Sequence, residues 1–573
     1  MSVSQNSSYD VLIIGGGPGG STTGTLLKKY HPDLRVLIVE REKFPREHVG
    51  ESQLPQIGAI LDEMGVWDKV EAANFPIKIG ATYLWGQSAE LWDFEFLPIA
   101  EFKDEPRPAQ YRGQRRKTAL QVERALYDDI LLHHAEEHGC EVRQETAVVK
   151  VLCEKDRVTG VQLSDGTLVT ARHYVDASGH GAILRRTLGV ATDCPTNLKN
   201  IAIWDYWENA EWAVHIGVGG TRVQVMSVGF GWIWFIPLGP TRTSIGLVCP
   251  AEYYKKTQKP PEELYLQAVQ NQSQIQKLIQ NATRSGNVRT TNDWSFLADR
   301  TVGENWFLVG EAAGFADPIL AAGLTLTHVG AREAAYTILA LEKGEHAADW
   351  LKKHYNENQR RRIAQHIRFA DFWYAANGQF TDLQAHCREI ARTSGLNLTP
   401  QKAWAWLAQG GFTNDVLGQP AIGGLDLAGM KGVMQIITTE PVAWHASEFN
   451  VFRLNLAGAE AETLPYYDKG TIKAVQCYVR EGLRLPMVGT FGLLTQILRQ
   501  TSDIQTVVQQ IMGVLQQHVA PELHQLYLQT AIQSLEVLVS EGWVTATLDP
   551  TRPRLQVSTP KEGGLIHAHK EGN

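Results

Sequence analysis

A chain of 573 residues is too long for one hydrophobic core, so roughly two or three domains are expected. With 43% hydrophobic and 20% charged residues it has a globular composition, and a net charge of −8 argues against nucleic acid or an anionic membrane as the main partner. The six cysteines (Cys140, Cys153, Cys194, Cys249, Cys387 and Cys477) include no CxxC pair, and no apolar run reaches the length of a membrane span, which predicts reduced thiols in a cytoplasmic protein with no zinc site and no membrane span.

Residues 10–14, Asp-Val-Leu-Ile-Ile, predict a buried parallel strand, and Gly15-Gly16-Gly17-Pro18-Gly19-Gly20 follows at once. Gly15 permits a tight turn, Gly17 lets a pyrophosphate approach the backbone, and Gly20 lets the next helix, about 19–30, pack on the sheet. That helix turns its N-terminus, with its free N–H groups, toward the phosphates. A second apolar strand, 35–39, ends at Glu40, followed by Arg41. Glu40 stands where a carboxylate binds a ribose hydroxyl. A purely structural glycine turn explains the glycines but not Glu40. Gly50-Glu51-Ser52 comes next, and residues 53–72 have helical spacing.

Residues 74–86 predict a strand with Lys78 near its start. Residues 119–139 read as an amphipathic helix carrying Gln121-Val-Glu-Arg124, and strand-like runs occupy 141–152 and 157–163. At 173–181 a strand runs into Asp176-Ala177-Ser178-Gly179-His180, with His180 as a loop residue near the adenosine. Residues 196–250 alternate and are rich in aromatics, which predicts an antiparallel sheet over a binding cavity, although any single tryptophan there reads better as core. At 305–323 a second strand–glycine–turn unit, with Gly310-Glu311 and Asp317-Pro318, leads into a helix over 324–342. One nucleotide motif early and one late suggest FAD rather than NAD. Residues 343–573 read as mostly helical, ending in helix Leu523–Glu541 and a hairpin over Gly542–Val557, a winged-helix-like pattern. Residues 519–558 hold four acids and two bases, net −2, so DNA binding is not expected of it. The predicted organisation is therefore a core over 1–342 with a substrate sheet inserted at about 185–295, a helical region over 343–450, and a C-terminal module over 451–573.

Taken together, these residues resemble the flavin-dependent halogenases of the phenol or pyrrole type, on the flavin monooxygenase fold of para-hydroxybenzoate hydroxylase. The glycine unit with Gly50-Glu51-Ser52, Lys78 in Phe75-Pro-Ile-Lys-Ile-Gly80, the signature Trp232-Ile-Trp234-Phe-Ile236-Pro237, and Phe315-Ala-Asp317-Pro318…Gly323 carry the resemblance, over about residues 8–340. It implies a Rossmann-type FAD-binding domain with an antiparallel substrate sheet. By resemblance, FAD is held by Gly15, Gly17, Gly20, Glu40, Arg41, Glu51, Ser52, Arg124, Gly310, Glu311, Asp317 and Pro318. Halide is bound by Ala322 and Gly323, a channel is capped by Trp232, Trp234, Ile236 and Pro237, and the catalytic residue is Lys78. Reduced FAD and O2 turn halide into hypohalous acid, which Lys78 either hydrogen-bonds or captures as a haloamine. A separate flavin reductase supplies reduced FAD, and the aromatic substrate is free or bound to a carrier protein.

Two departures stand out. Gly310-Glu311 replaces the usual Gly-Asp, and Leu320-Ala321-Ala322-Gly323 replaces Glu-Ser-Thr-Gly of tryptophan halogenases or Phe-Ser-Ser-Gly of phenol and pyrrole halogenases. The loss of the glutamate argues against free tryptophan as substrate. The loss of the hydroxyls keeps open a monooxygenase or reductase of the same fold, or a flavin-binding protein that docks a carrier.

Overall fold

The structure, a computed structural model, describes residues 7–396, 403, 407, 421–422, 425–438, 444–521, 524–555 and 566–569. The chain divides into two compact units: Met1–Ser394 with Lys469–Thr471 and His567–Asn573, and Gly395–Asp468 with Ile472–Ile566.

The first unit is built on two sheets. In one, strands Glu141–Arg143, Val36–Val39, Ser7–Ile14 and Leu168–Asp176 run parallel in that order, with Trp306–Leu308 also parallel to Leu168–Asp176. Strands Arg157–Leu163 and Val148–Glu154 extend it in antiparallel fashion. Alternate residues of the first strand serve opposite faces. Val11 and Ile13 pack with Leu26, Leu131 and Ile338 from three helices, whereas Leu12 and Ile14 pack with Tyr174, Leu308 and Ile363. Burial on both faces is what makes residues 10–14 read as an unbroken apolar run. The late strand Trp306–Leu308 thus joins the sheet that the opening unit founds, and helix Gly323–Lys343 packs beside helix Pro18–Tyr30.

The second sheet orders Arg289–Trp294, Lys199–Glu208, Arg242–Pro250, Gly231–Pro237, Gly220–Val228, Ile77–Leu84 and Trp92–Glu95. All neighbours are antiparallel except Ile77–Leu84, which runs parallel to Gly220–Val228. The strand bearing Lys78 is therefore part of the aromatic sheet. In Gly231–Pro237 the period of two divides the signature: Ile233 and Phe235 enter a core with Leu264, Tyr265 and Ala268, and Trp232 and Trp234 share the other face, with ring centroids 6.1 Å apart.

Several boundaries differ from expectation. The helix expected over 53–72 is two, Gln56–Met64 and Trp67–Ala72, because Gly65 caps the first in the left-handed region at φ 84°. Of the helix expected over 119–139, Ala119–Leu120 is a short strand on Ile77–Lys78, and the helix proper is Arg124–Glu137.

The second unit contains helices Leu427–Thr438, His445–Glu448, Gly489–Leu498, Ile504–His518 and His524–Ser540. Strands Glu460–Asp468, Thr471–Arg480 and Leu483–Pro486 interrupt the region expected to be helical. They turn at Lys469-Gly470 and Glu481-Gly482, where all four residues have positive φ, the backbone of tight hairpins. The hairpin expected over Gly542–Val557 is also different. Its first strand, Val544–Thr547, pairs with Val451–Leu454, far earlier in the chain, and residues 551–555 are turn and coil; 556–557 lie outside the described residues. Among the described residues no helix is long and apolar enough to cross a membrane, and no group of three His, Cys, Asp or Glu is placed to hold a metal ion.

Gly246 sits opposite Trp234 in the strand pairing, and a Cβ there would fall within the Trp234 indole ring. Gly246→Ala is expected to cost about 1–3 kcal/mol through overpacking, read as a lowered Tm in thermal denaturation followed by circular dichroism.

Candidate functional site

At the dinucleotide end, the glycines occupy the places their sequence implies. Gly15 has φ 105°, and a Cβ on Gly20 would strike the Gly15 carbonyl, so both are held to glycine by the strand–helix approach. Gly17 is open: the nearest atom to its missing Cβ is Arg46 Nη2 at 3.4 Å. Glu40 is buried, with Oε2 accepting the Gly16 N–H at 2.7 Å and Oε1 the Glu42 N–H at 2.9 Å. Arg41 points to solvent and pairs with Glu42. Arg124 makes a two-pronged pair with Asp128 at 2.7 and 2.8 Å, and its Nη1 donates to the Val49 and Gly50 carbonyls at 3.0 and 3.2 Å. It thereby fixes the loop leading to Glu51.

Arg46 and Asp128 were not singled out from the sequence. Arg46 Nη1 lies 3.3 Å from Asp128 Oδ2 as an ion pair, yet it has no hydrogen-bond partner although buried. A basic residue in the loop after Glu40 was the available signal. A guanidinium with an unused donor beside the open face of Gly17 fits the pyrophosphate of a dinucleotide, so these residues suit FAD. At the other nucleotide segment Gly310 has φ 62°, and His180 Nε2 stands 3.4 Å from Glu311 Oε2. The longer acid that departs from Gly-Asp is thus met by His180.

At the far end is Lys78. Its Nζ donates to Ser52 Oγ at 2.8 Å and to the Gln53 carbonyl at 3.0 Å, and sits 5.4 Å from the centre of the Phe96 ring. Among the described residues no carboxylate pairs with it. Burial alone lowers its amine to about 7. The loop it grips is zipped down on the opposite side: Ser52 bridges Gln121, the Val122 N–H donates to the Glu51 carbonyl at 2.7 Å, and the Gln53 N–H to the Leu120 carbonyl at 3.0 Å. Glu51 points away from the lysine and accepts from the Tyr206 hydroxyl at 2.9 Å. Burial pushes its carboxyl up to about 7, against the pull of the Ser244 and Tyr206 hydroxyls. Its Oε2 has no partner.

Trp232, Trp234, Ile236 and Pro237 are all buried. Trp234 Nε1 donates to Ser244 Oγ at 3.1 Å. Trp85 meets Trp232 edge-on at 6.3 Å. Asp317 is buried and caps the short turn Pro318–Leu320. The turn closes on Ala321 at φ 52°, and Ala322 leads into helix Gly323–Lys343. A Cβ on Gly323 would meet only the Phe315 ring, at 3.7 Å, so there is room at its Cα.

The FAD binding domain family matches residues 8–370. The chain is 30% identical over 388 residues to the 1H-pyrrole-2-carbonyl-(peptidyl-carrier protein) chlorinase of Pseudomonas fluorescens, covering 65% of this chain and 85% of that protein. Among solved structures, the myxobacterial chondrochloren halogenase CndH matches with a TM-score of 0.58 at 30% identity, covering 68% of this chain and 91% of the other. The flavin-dependent halogenase CmlS matches in fold along 98% of this chain and 100% of its own, with a TM-score of 0.71 at 23% identity.

Two outcomes are expected. Gly17→Val should abolish FAD uptake, measured by flavin absorbance of the refolded or reconstituted protein, because it fills the open face beside Arg46. Lys78→Met should raise stability most below pH 7. There the amine is charged in both the folded and the unfolded chain, so its full burial penalty applies, and the penalty fades as pH rises from about 7 toward the unfolded value. Urea melts at pH 6 and pH 9 should show the larger gain at pH 6.

Proposed function

The chain belongs to the flavin-dependent halogenases, and from that premise we propose that it places chloride or bromide on an electron-rich aromatic ring, of phenol, pyrrole or indole type, carried on a carrier protein. Similarity to a chlorinase of a carrier-bound pyrrole supports the carrier. Bound reduced FAD, with O2, supplies the oxidation of halide to hypohalous acid. A separate flavin reductase delivers it in this reading, since FAD itself takes the Gly15–Gly20 unit.

This chain's own residues do the rest. Gly17, Arg46, Glu40 and Arg124 hold the dinucleotide. The N–H groups of Ala322 and Gly323, at the start of a 21-residue helix, take the halide where Gly323 leaves room. Leu320, buried, stands where the family's tryptophan-specific members have glutamate, which favours a substrate other than free tryptophan. The tryptophans of the signature keep water out.

The observation that carries the reading is the Lys78 amine. Ser52 and Gln53 accept two of its N–H groups. The charged form keeps a third N–H with which to hold hypohalous acid. The neutral form keeps both bonds and presents a lone pair, the nucleophile for a haloamine. With burial holding the amine near pH 7, both forms are populated at neutral pH.

Lys78→Ala should cut halogenated product by roughly a hundredfold or more while FAD affinity stays unchanged. Lys78→Arg should fail equally, because a guanidinium does not deprotonate. Mass spectrometry with reduced FAD, O2 and bromide, over phenols, pyrroles, indoles and carrier-bound acyl groups, reads the outcome. Isotope-patterned product that survives Lys78→Ala removes the lysine's role; product that gains oxygen and never halogen moves the chain to the monooxygenases.

A further inference from the structure

The first tryptophan of the signature is tied to the turn that precedes Gly323. Trp232 Nε1 donates to the Tyr374 hydroxyl oxygen at 2.7 Å, and Asn200 Nδ2 reaches the same oxygen at 3.1 Å. The Tyr374 O–H points to Asp317 Oδ1 at 3.3 Å, while Asn200 Nδ2 donates to Asp317 Oδ2 at 3.0 Å. Asp317 Oδ1 also accepts the Ile319 N–H at 2.9 Å, the bond that closes the Pro318–Leu320 turn. All four side chains are buried. They come from four separate places: strand Lys199–Glu208, strand Gly231–Pro237, the Asp317 loop, and helix Ala348–Ala375.

Within the turn, the Ala321 N–H donates to the Pro318 carbonyl at 2.9 Å. Leu320, Ala321 and Ala322 carry no side-chain hydrogen-bonding group, and Ala321 is in the left-handed region, a conformation that needs support from its surroundings. Where related enzymes have hydroxyls at 321 and 322, this chain offers an anion only backbone N–H groups at those two positions, so their placement bears on its binding.

We propose that Tyr374, held in place by Trp232, is a positioning residue for halide: it fixes Asp317, and through the Asp317 cap the N–H groups of Ala322 and Gly323. The proposal rests on the halide site given under Proposed function. The charge around the turn agrees with it. Burial raises the Asp317 carboxyl, and the neighbouring Asp371, bonded to Thr196, is raised by burial and by Asp317. A carboxyl that is only partly ionised at neutral pH repels an anion at the turn less than an ordinary aspartate would.

The test uses the full-length protein loaded with FAD. Chloride NMR line width, with bromide as competitor, gives halide affinity without turnover; flavin absorbance gives FAD affinity; and turnover gives the KM for bromide. Tyr374→Phe keeps the ring and removes the hydroxyl. It should weaken halide binding roughly tenfold and raise the KM for bromide to match, with FAD affinity and the KM for the aromatic unchanged. Trp232→Phe should show the same pattern, and the double variant should be no worse than either single one. Unchanged halide affinity in Tyr374→Phe overturns the proposal, as does failure of both variants to take up FAD, which would make the two residues plain core. If the unaltered protein neither broadens the chloride line nor yields halogenated product, the functional reading fails first. If it does both and Tyr374→Phe matches it, only the positioning role is lost.

Discussion

Everything at the substrate end depends on keeping one amine out of water with no counter-ion beside it. Lys78 reaches across from strand Ile77–Leu84 to Ser52 and Gln53, whose loop is zipped onto residues 120–122, and Ala119–Leu120 pairs with the lysine's own strand. The three pieces form one ladder, and the lysine closes it. Two neutral oxygens satisfy two of its N–H groups but do not offset the desolvation of a charge, so the balance shifts toward the free amine. Arg124 braces the same loop through the Val49 and Gly50 carbonyls. Arg124 and Lys78 thus grip one short segment of backbone, residues 49–53.

The two tryptophans of the signature then divide the labour. Both face the same side of strand Gly231–Pro237, since the side-chain period of a strand is two. Trp234 lies over Gly246 and donates to Ser244, whose hydroxyl acts on Glu51 beside the lysine loop. Trp232 is directed through Tyr374 toward Asp317. Strand Lys199–Glu208 reaches both ends as well, through Tyr206 to Glu51 and through Asn200 to Asp317. A motif read from sequence as a channel cap is also a crossbar between two loops.

What was legible in the sequence was local. Strand, glycines, helix and Glu40 follow one another within about forty residues, and each part implies the next. The hairpins at Lys469-Gly470 and Glu481-Gly482 were equally local, but exposure along Glu460–Asp468 blurs the alternation that marks a strand, and the region read as helix. The partner of Val544–Thr547 was beyond reach for a different reason: it lies at Val451–Leu454, and pairing over that separation leaves no local trace. Arg46 and Tyr374 were missed similarly. Neither stands in a motif, and their roles arise only when Gly17 and Asp317 fold against them.

The isolation of Lys78 is better understood beside the other lysine buried among the described residues, Lys431. In the second unit Lys431 is also buried, and there the chain supplies what a buried ammonium ordinarily requires: the Glu536 carboxylate, with the Trp444 ring 4.4 Å away. Glu536 in turn accepts from the backbone of His445 and Ala446, so the pair is satisfied on both sides. The first unit pairs one buried acid in the same way, Glu71, held by Arg107 and Arg115. Among the described residues, the two buried lysines are thus treated differently. The one carboxylate within a residue of its loop contact, Glu51, is turned away to Tyr206 rather than toward the amine. An ion pair with Glu51 would hold the lysine charged and occupy its free N–H. Turning the acid aside leaves the amine able to change its protonation state at neutral pH, the property that the proposed capture of an electrophilic halogen needs.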